Sequence, residues 1–211
     1  MNLKTKIIIG IISGIIVIGV VITVIVVVIK KKNDDNSDKI DNNLNSTFSI
    51  TEKIARLNNG IKMPILGLGT WTLSNDEAEE SVYVAIKTGF RLIDTAQYYG
   101  NESGVGRGVK KSIEEGIINR EDIFITSKIM PIAYSNPDFA IEDSLKKLDV
   151  DYIDLMLIHQ PGSNDEKVYK SMEKYYNDGK LKAIGISNYY TENAVNQVLS
   201  YASITPAIIQ N

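Results

Sequence analysis

Asp94, Tyr99, Lys128 and His159 are the residues whose types and placement can support acid–base chemistry in this chain. A short apolar run, Phe90 to Ile93, reads as a buried strand that stops at Asp94; Tyr99, Gly100 and the polar pair Asn101-Glu102 follow before the next helix. Taken singly, each residue has an ordinary explanation. An Asp at a strand end is often a turn or cap residue, and paired tyrosines usually pack a loop. Lys128, after Phe124-Ile125-Thr126-Ser127, would be a solvated charge, and His159, after Leu155-Met156-Leu157-Ile158, a satisfied buried histidine. The coincidence is what carries weight. Asp94, Lys128, His159 and Ser187-Asn188 each follow an apolar strand directly, on four successive strands, and His159 is the only histidine.

The elements that must position these groups alternate strand and helix. Residues 54–57 and 61–63 read as a hairpin about Asn58-Asn59-Gly60, where Asn-Gly supplies the positive φ of the turn. Residues 64–71 follow as a first strand and its loop. Ser74 with Glu77 predicts a capping box for a helix ending at Gly89. Further helices are expected from about Ser103 to Gly116, from Asn136-Pro137 with Ile141, Leu145 and Leu148 on one face, from Asn164 to Asp178, and from Thr191 to about Tyr201. Strands are expected at 123–128, 153–159, 183–187 and 207–210.

Six strands alternating with five helices predict a parallel α/β sheet with helical crossovers. A doubly wound nucleotide fold should open its first helix with Gly-x-Gly-x-x-Gly. Gly67-Leu68-Gly69-Thr70-Trp71-Thr72 lacks the third Gly, and Gly104-Val105-Gly106-Arg107-Gly108 falls inside a helix. The alternative is a TIM-type (β/α)8 barrel, in which the ends of successive strands open onto one C-terminal face where active sites are built. The polar strand ends favour the barrel.

Composition narrows the function classes. A net charge of −3 over 211 residues gives no electrostatic case for nucleic acid. The absence of Cys excludes disulfides, thiolate metal sites and cysteine nucleophiles, and one His excludes a multi-histidine metal centre. From Ile7 to Ile29 the chain is apolar save for Gly, Ser13 and Thr23, about 34 Å as a helix against about 30 Å of hydrocarbon. A cleaved signal peptide would be shorter and end in small residues; here the run ends in valines, Ile29 and Lys30-Lys31-Lys32. Residues 1–32 are therefore expected to be a single-pass membrane anchor. The three lysines place the remainder in the cytoplasm. Residues 33–50, rich in Asn, Asp and Ser, read as a disordered tether, and residues 51–211 as the globular part.

Several segments together resemble the aldo-keto reductases: Gly67-Leu68-Gly69-Thr70-Trp71, Ile93-Asp94-Thr95-Ala96 through Tyr99-Gly100-Asn101-Glu102, Thr126-Ser127-Lys128, Leu157-Ile158-His159-Gln160-Pro161 and Gly185-Ile186-Ser187-Asn188. The likeness runs from about Ile54 to Asn211. Gln160-Pro161-Gly162 and the short loops are similar to the bacterial branch that includes diketogluconate reductases. The resemblance implies a barrel that binds NADPH without a Rossmann domain and reduces small aldehydes and ketones to alcohols.

It also implies roles. Tyr99 would be the proton donor to the carbonyl oxygen; an unassisted phenol is a reluctant donor, and the Lys128 ammonium beside it would stabilise the phenolate left behind. Asp94 would hold Lys128 and contribute to the cofactor site. His159 would orient the carbonyl oxygen. Ser187, Asn188 and Gln210 match the positions that hold the nicotinamide carboxamide, while Gly69, Thr70 and Trp71 would line the same end of the cofactor. Trp71, Tyr99 and His159 would also contact substrate.

Met130 stands where many relatives carry an aromatic residue. The family's last two strands are not found before Asn211, so about six of eight strands are expected, with a C-terminal segment as a missing partner. A non-catalytic membrane-associated interaction subunit and an inactive fragment are the alternative readings.

Overall fold

The computed structural model of the chain describes residues 47–49 and 53–211. The expected anchor, Ile7 to Ile29, lies outside the described residues, as does most of the tether; among the described residues no helix is long and apolar enough to cross a membrane. One part of the supposed tether is a strand. β1 (Thr47–Ser49) pairs antiparallel with β2 (Ile54–Arg56). Backbone pairing with a neighbour orders this polar stretch, which hydrophobic content alone does not reveal. β2 turns back through Gly60, at φ 85°, into β3 (Lys62–Pro64). Pro64, expected in the first strand of the main sheet, instead ends this hairpin opposite Ile54, on an edge where its missing N–H is tolerated.

The parallel sheet contains β4 (Leu68–Gly69), β5 (Leu92–Asp94), β6 (Phe124–Ile129), β7 (Leu155–Ile158), β8 (Ile184–Ser187) and β9 (Ile209–Gln210), hydrogen-bonded in that order. Between them run α1 (Asn75–Lys87), α2 (Glu102–Glu114), α3 (Pro137–Leu148), α4 (Asp165–Asn177) and α5 (Glu192–Tyr201). Neighbours in space are neighbours in sequence throughout. A doubly wound sheet reverses its order at a switch point, whereas a barrel steps always to the same side. The fold is an incomplete (β/α) barrel.

Side-chain alternation divides this sheet into two faces. Ile93, Ile125, Ile129, Met156, Ile158, Ile184, Ile186 and Ile209 join one buried cluster with the apolar stripes of the helices. Leu92, Phe124, Leu155, Leu157, Ala183 and Ile208 form a second cluster, capped by Leu57 and Met63 of the hairpin region. Steps of two residues along each strand on this inner face lead to Asp94, Lys128, His159, Ser187 and Gln210. The strand period therefore aims all five side chains to the same side of the sheet.

The glycines of α2 serve packing. A Cβ on Gly104 would stand 2.0 Å from the Asn75 carbonyl oxygen, one on Gly108 2.6 Å from that of Glu79, and one on Gly106 2.5 Å from that of Leu148. Backbone cannot yield as a flexible side chain can, so these positions let α1 and the end of α3 approach α2 closely. That close packing fixes the start of α2, and with it the turn that carries Tyr99.

Candidate active site

Tyr99 lies in a 3-10 turn (Gln97–Tyr99) between β5 and α2, ended by Gly100 at φ 70°. Lys128, near the end of β6, reaches across to it: its Nζ donates to the Tyr99 hydroxyl at 3.2 Å, to Thr95 O at 3.0 Å and to Asp94 Oδ1. The Lys128 and Asp94 side chains are 2% and 6% exposed. A buried ammonium without a carboxylate would be untenable, so the pairing is what permits a lysine here. The second Asp94 oxygen accepts from Gln210 Nε2 at 2.8 Å.

His159, just past β7, is held by its backbone: its N–H donates to Ile129 O at 3.0 Å, and its carbonyl accepts from Asn188 Nδ2 at 2.8 Å. Its ring stands 5.8 Å from that of Tyr99, edge-on at 79°. Burial and the nearby Lys128 charge hold the imidazole pKa down at about 4, with Asp94 opposing them. His159 is therefore neutral at neutral pH and can act there as a hydrogen-bonding group. His159 Nδ1 is buried and has no partner among the described residues. Such an atom is suited to a polar group brought by a ligand.

Trp71 closes one side, with its ring 4.8 Å from Tyr99 at 61° and stacked on Tyr98 at 5.4 Å and 13°. Gly69 pairs with Asp94 in the sheet. Thr70 is fully buried, and its hydroxyl is engaged with Asn101 Oδ1 at 3.2 Å. Ser187 and Gln210 are register partners at the ends of β8 and β9, and Asn188 follows at φ 62°. The amide nitrogen of Asn188 is already given to His159 O, and its Oδ1 accepts from the Tyr190 hydroxyl. Ser187, Asn188 and Gln210 are thus clustered at these strand ends, where Ser187 Oγ accepts from Asn188 Nδ2 at 3.2 Å and the Gln210 amide donates to Asp94.

Residues 65–211 match the sequence model of the aldo/keto reductase family. The chain belongs to that family. A glyoxal reductase of Bacillus subtilis (strain 168) is 45% identical over 159 residues, which are 74% of this chain and 56% of that protein. An NAD(P)H-dependent D-xylose reductase of Candida tropicalis is 38% identical over 184 residues, with coverages of 74% and 56%. The crystal structure of a Bombyx mori aldo-keto reductase in complex with NADP superposes with a TM-score of 0.67 at 34% identity, covering 74% of this chain and 56% of that one. This aldo/keto reductase chain spans about half the length of the curated relatives it matches.

Two residues of the site receive no role from the sequence alone. Tyr98 is 59% exposed yet stacks on Trp71 and meets His159 edge-on at 6.1 Å. Asn101 is buried against the Trp71 turn. A doubled tyrosine and an Asn before a helix are common, so spacing could not single them out.

The neutral His159 has a measurable consequence. Its folded pKa is depressed from 6.5 to about 4, so between those values the unfolded chain binds the extra proton and stability falls as pH falls. The loss is at most about 3 kcal/mol, lowered by solvent screening because the ring is only partly buried. Glu102 and Asp154, raised by burial, slope the other way. The difference between wild type and His159→Gln in urea denaturation at pH 7 and pH 4.5 isolates the histidine. Parallel pH curves would show that its ring is not held neutral.

Proposed function

We propose that the chain carries the acid–base half of an NADPH-dependent carbonyl reductase that converts aldehydes or ketones to alcohols. The observation that carries this reading is the Lys128 ammonium, tied to Asp94 and donating to the Tyr99 hydroxyl at 3.2 Å. NADPH, when bound, supplies the hydride; Ser187, Asn188 and Gln210 would hold its carboxamide, with Asp94 and the Gly69-Thr70-Trp71 segment beside it. His159 orients the carbonyl oxygen by a neutral hydrogen bond. As charge develops on that oxygen, Tyr99 transfers its proton there, Lys128 stabilises the phenolate left behind, and solvent returns the proton. Trp71, Tyr99 and His159 form the wall against which the carbonyl compound packs. The Bacillus subtilis glyoxal reductase, at 45% identity, supports a small carbonyl substrate.

Trp71 is the only tryptophan, so its emission reports on this site alone. Titration with NADPH should quench it saturably, and adding glyoxal or benzaldehyde should consume NADPH, measured in the chain and in a chimera extended with the remainder of the Bacillus subtilis glyoxal reductase. Absence of both quenching and turnover in a folded chimera would refute the reading.

A further inference from the structure

We propose that Asn101 is a positioning residue that pins the turn Thr70–Leu73 and thereby sets the Trp71 ring against Tyr99. Asn101 is 1% exposed, and its side chain uses every hydrogen-bonding capacity it has. Nδ2 donates to Thr70 O at 2.7 Å and to Leu73 O at 2.8 Å; Oδ1 accepts from Thr70 Oγ1 at 3.2 Å and Thr95 Oγ1 at 3.1 Å. The two carbonyls are the first and last of one turn, which Leu73 N–H closes onto Thr70 O at 3.2 Å.

Inside that turn lie Trp71 and Thr72, and Thr72 has φ 70°. A β-branched residue in the left-handed region is strained and persists only where its surroundings over-determine it. Asn101 does so from both ends of the turn. The same residue lies two positions beyond Tyr99, so one amide couples the Trp71 turn to the segment bearing the proton donor.

The ordinary role for Asn101 is already filled by another residue. It occupies the N-cap position of α2, where an Asn side chain normally accepts from the first helical N–H groups, but it makes no such bond. Asn75, at the start of α1, does that work instead: its Oδ1 accepts from Gly104 N–H at 2.8 Å and its Nδ2 donates to Gly100 O at 3.0 Å. Capping of α2 from the neighbouring helix leaves the Asn101 amide to the Trp71 turn.

The consequence for substrate rests on the reductase reading. Trp71 and Tyr99 form the wall beside the reacting carbonyl, while the Asn101 amide bonds neither the Tyr99 hydroxyl nor the Lys128 ammonium. Loosening the turn should therefore raise KM for benzaldehyde by about tenfold and change kcat by less than about threefold.

Asn101→Ala and Asn75→Ala form the decisive pair, because both remove side-chain hydrogen bonds at the start of α2 and only the first releases the turn. In Asn101→Ala, acrylamide quenching of Trp71 should rise at least about twofold and its anisotropy fall, at a temperature where both variants are folded. Asn75→Ala should leave Trp71 unchanged even when its melting temperature drops as far. An unaltered Trp71 in Asn101→Ala, or an equal change in both, overturns the proposal. Should Asn101→Ala not fold, Thr72→Gly in that background relieves the strained φ. A folded double variant with a loosened Trp71 supports the proposal, and one that still fails to fold makes Asn101 a core residue and overturns it. The expected Trp71 response without turnover in any variant refutes the reductase reading and leaves the positioning role standing.

Discussion

Tyr99→Phe is expected to lower kcat for carbonyl reduction by about 10²–10⁴-fold while NADPH affinity stays within about twofold. The ring remains, so its edge-on contacts with Trp71 and His159 remain, and only the hydroxyl facing Lys128 Nζ is lost. In the proposed reaction that hydroxyl acts when charge develops on the carbonyl oxygen, an event absent from the ground state. Removing it should therefore reduce kcat and kcat/KM together. No other group at the site can replace it: His159 is neutral at neutral pH, and Lys128 is committed to Asp94 and Thr95 O. Single-turnover rates with benzaldehyde, alongside Trp71 quenching by NADPH, separate the two quantities. Equal single-turnover rates in wild type and Tyr99→Phe would remove Tyr99 as the proton donor.

The strand ends were legible because two patterns coincide there. Apolar runs stop at Asp94, His159 and Ser187, Lys128 lies one residue before the end of β6, and the two-residue period of a strand turns each toward the face that Leu92, Phe124, Leu157 and Ala183 share. The capping box at Ser74 and Glu77 was equally readable, being local in sequence. What was hidden depends on distant backbone. Asn101 bonds the carbonyls of Leu73 and Thr70, 28 and 31 positions away. A carbonyl acceptor is the same whatever residue bears it, so no residue type marks these contacts beforehand. The glycines of α2 could be placed in a helix, but their purpose follows only from Asn75, Glu79 and Leu148 lying against them. Thr47–Ser49 likewise takes its order from its partner strand.

Lys128→Met should act on stability and chemistry at once, and the two effects can be separated. Met keeps much of the aliphatic length but removes the charge, leaving Asp94 with the Gln210 amide as its remaining side-chain partner at the site. Breaking one side of a buried ion pair typically costs about 3–5 kcal/mol, because a desolvated charge remains uncompensated. The Gln210 hydrogen bond offsets part of this, so the lower end, about 3 kcal/mol, is expected from urea denaturation. Adding Asp94→Asn removes the stranded charge. If desolvation is the dominant cost, Lys128→Met/Asp94→Asn should recover most of the lost stability. Turnover should not return, since the phenolate formed at Tyr99 still has no ammonium beside it. A double variant that regained both stability and kcat would show that the ion pair serves the fold alone. One that regained neither would mean that Lys128 is needed for its packing, and the charge argument would fail.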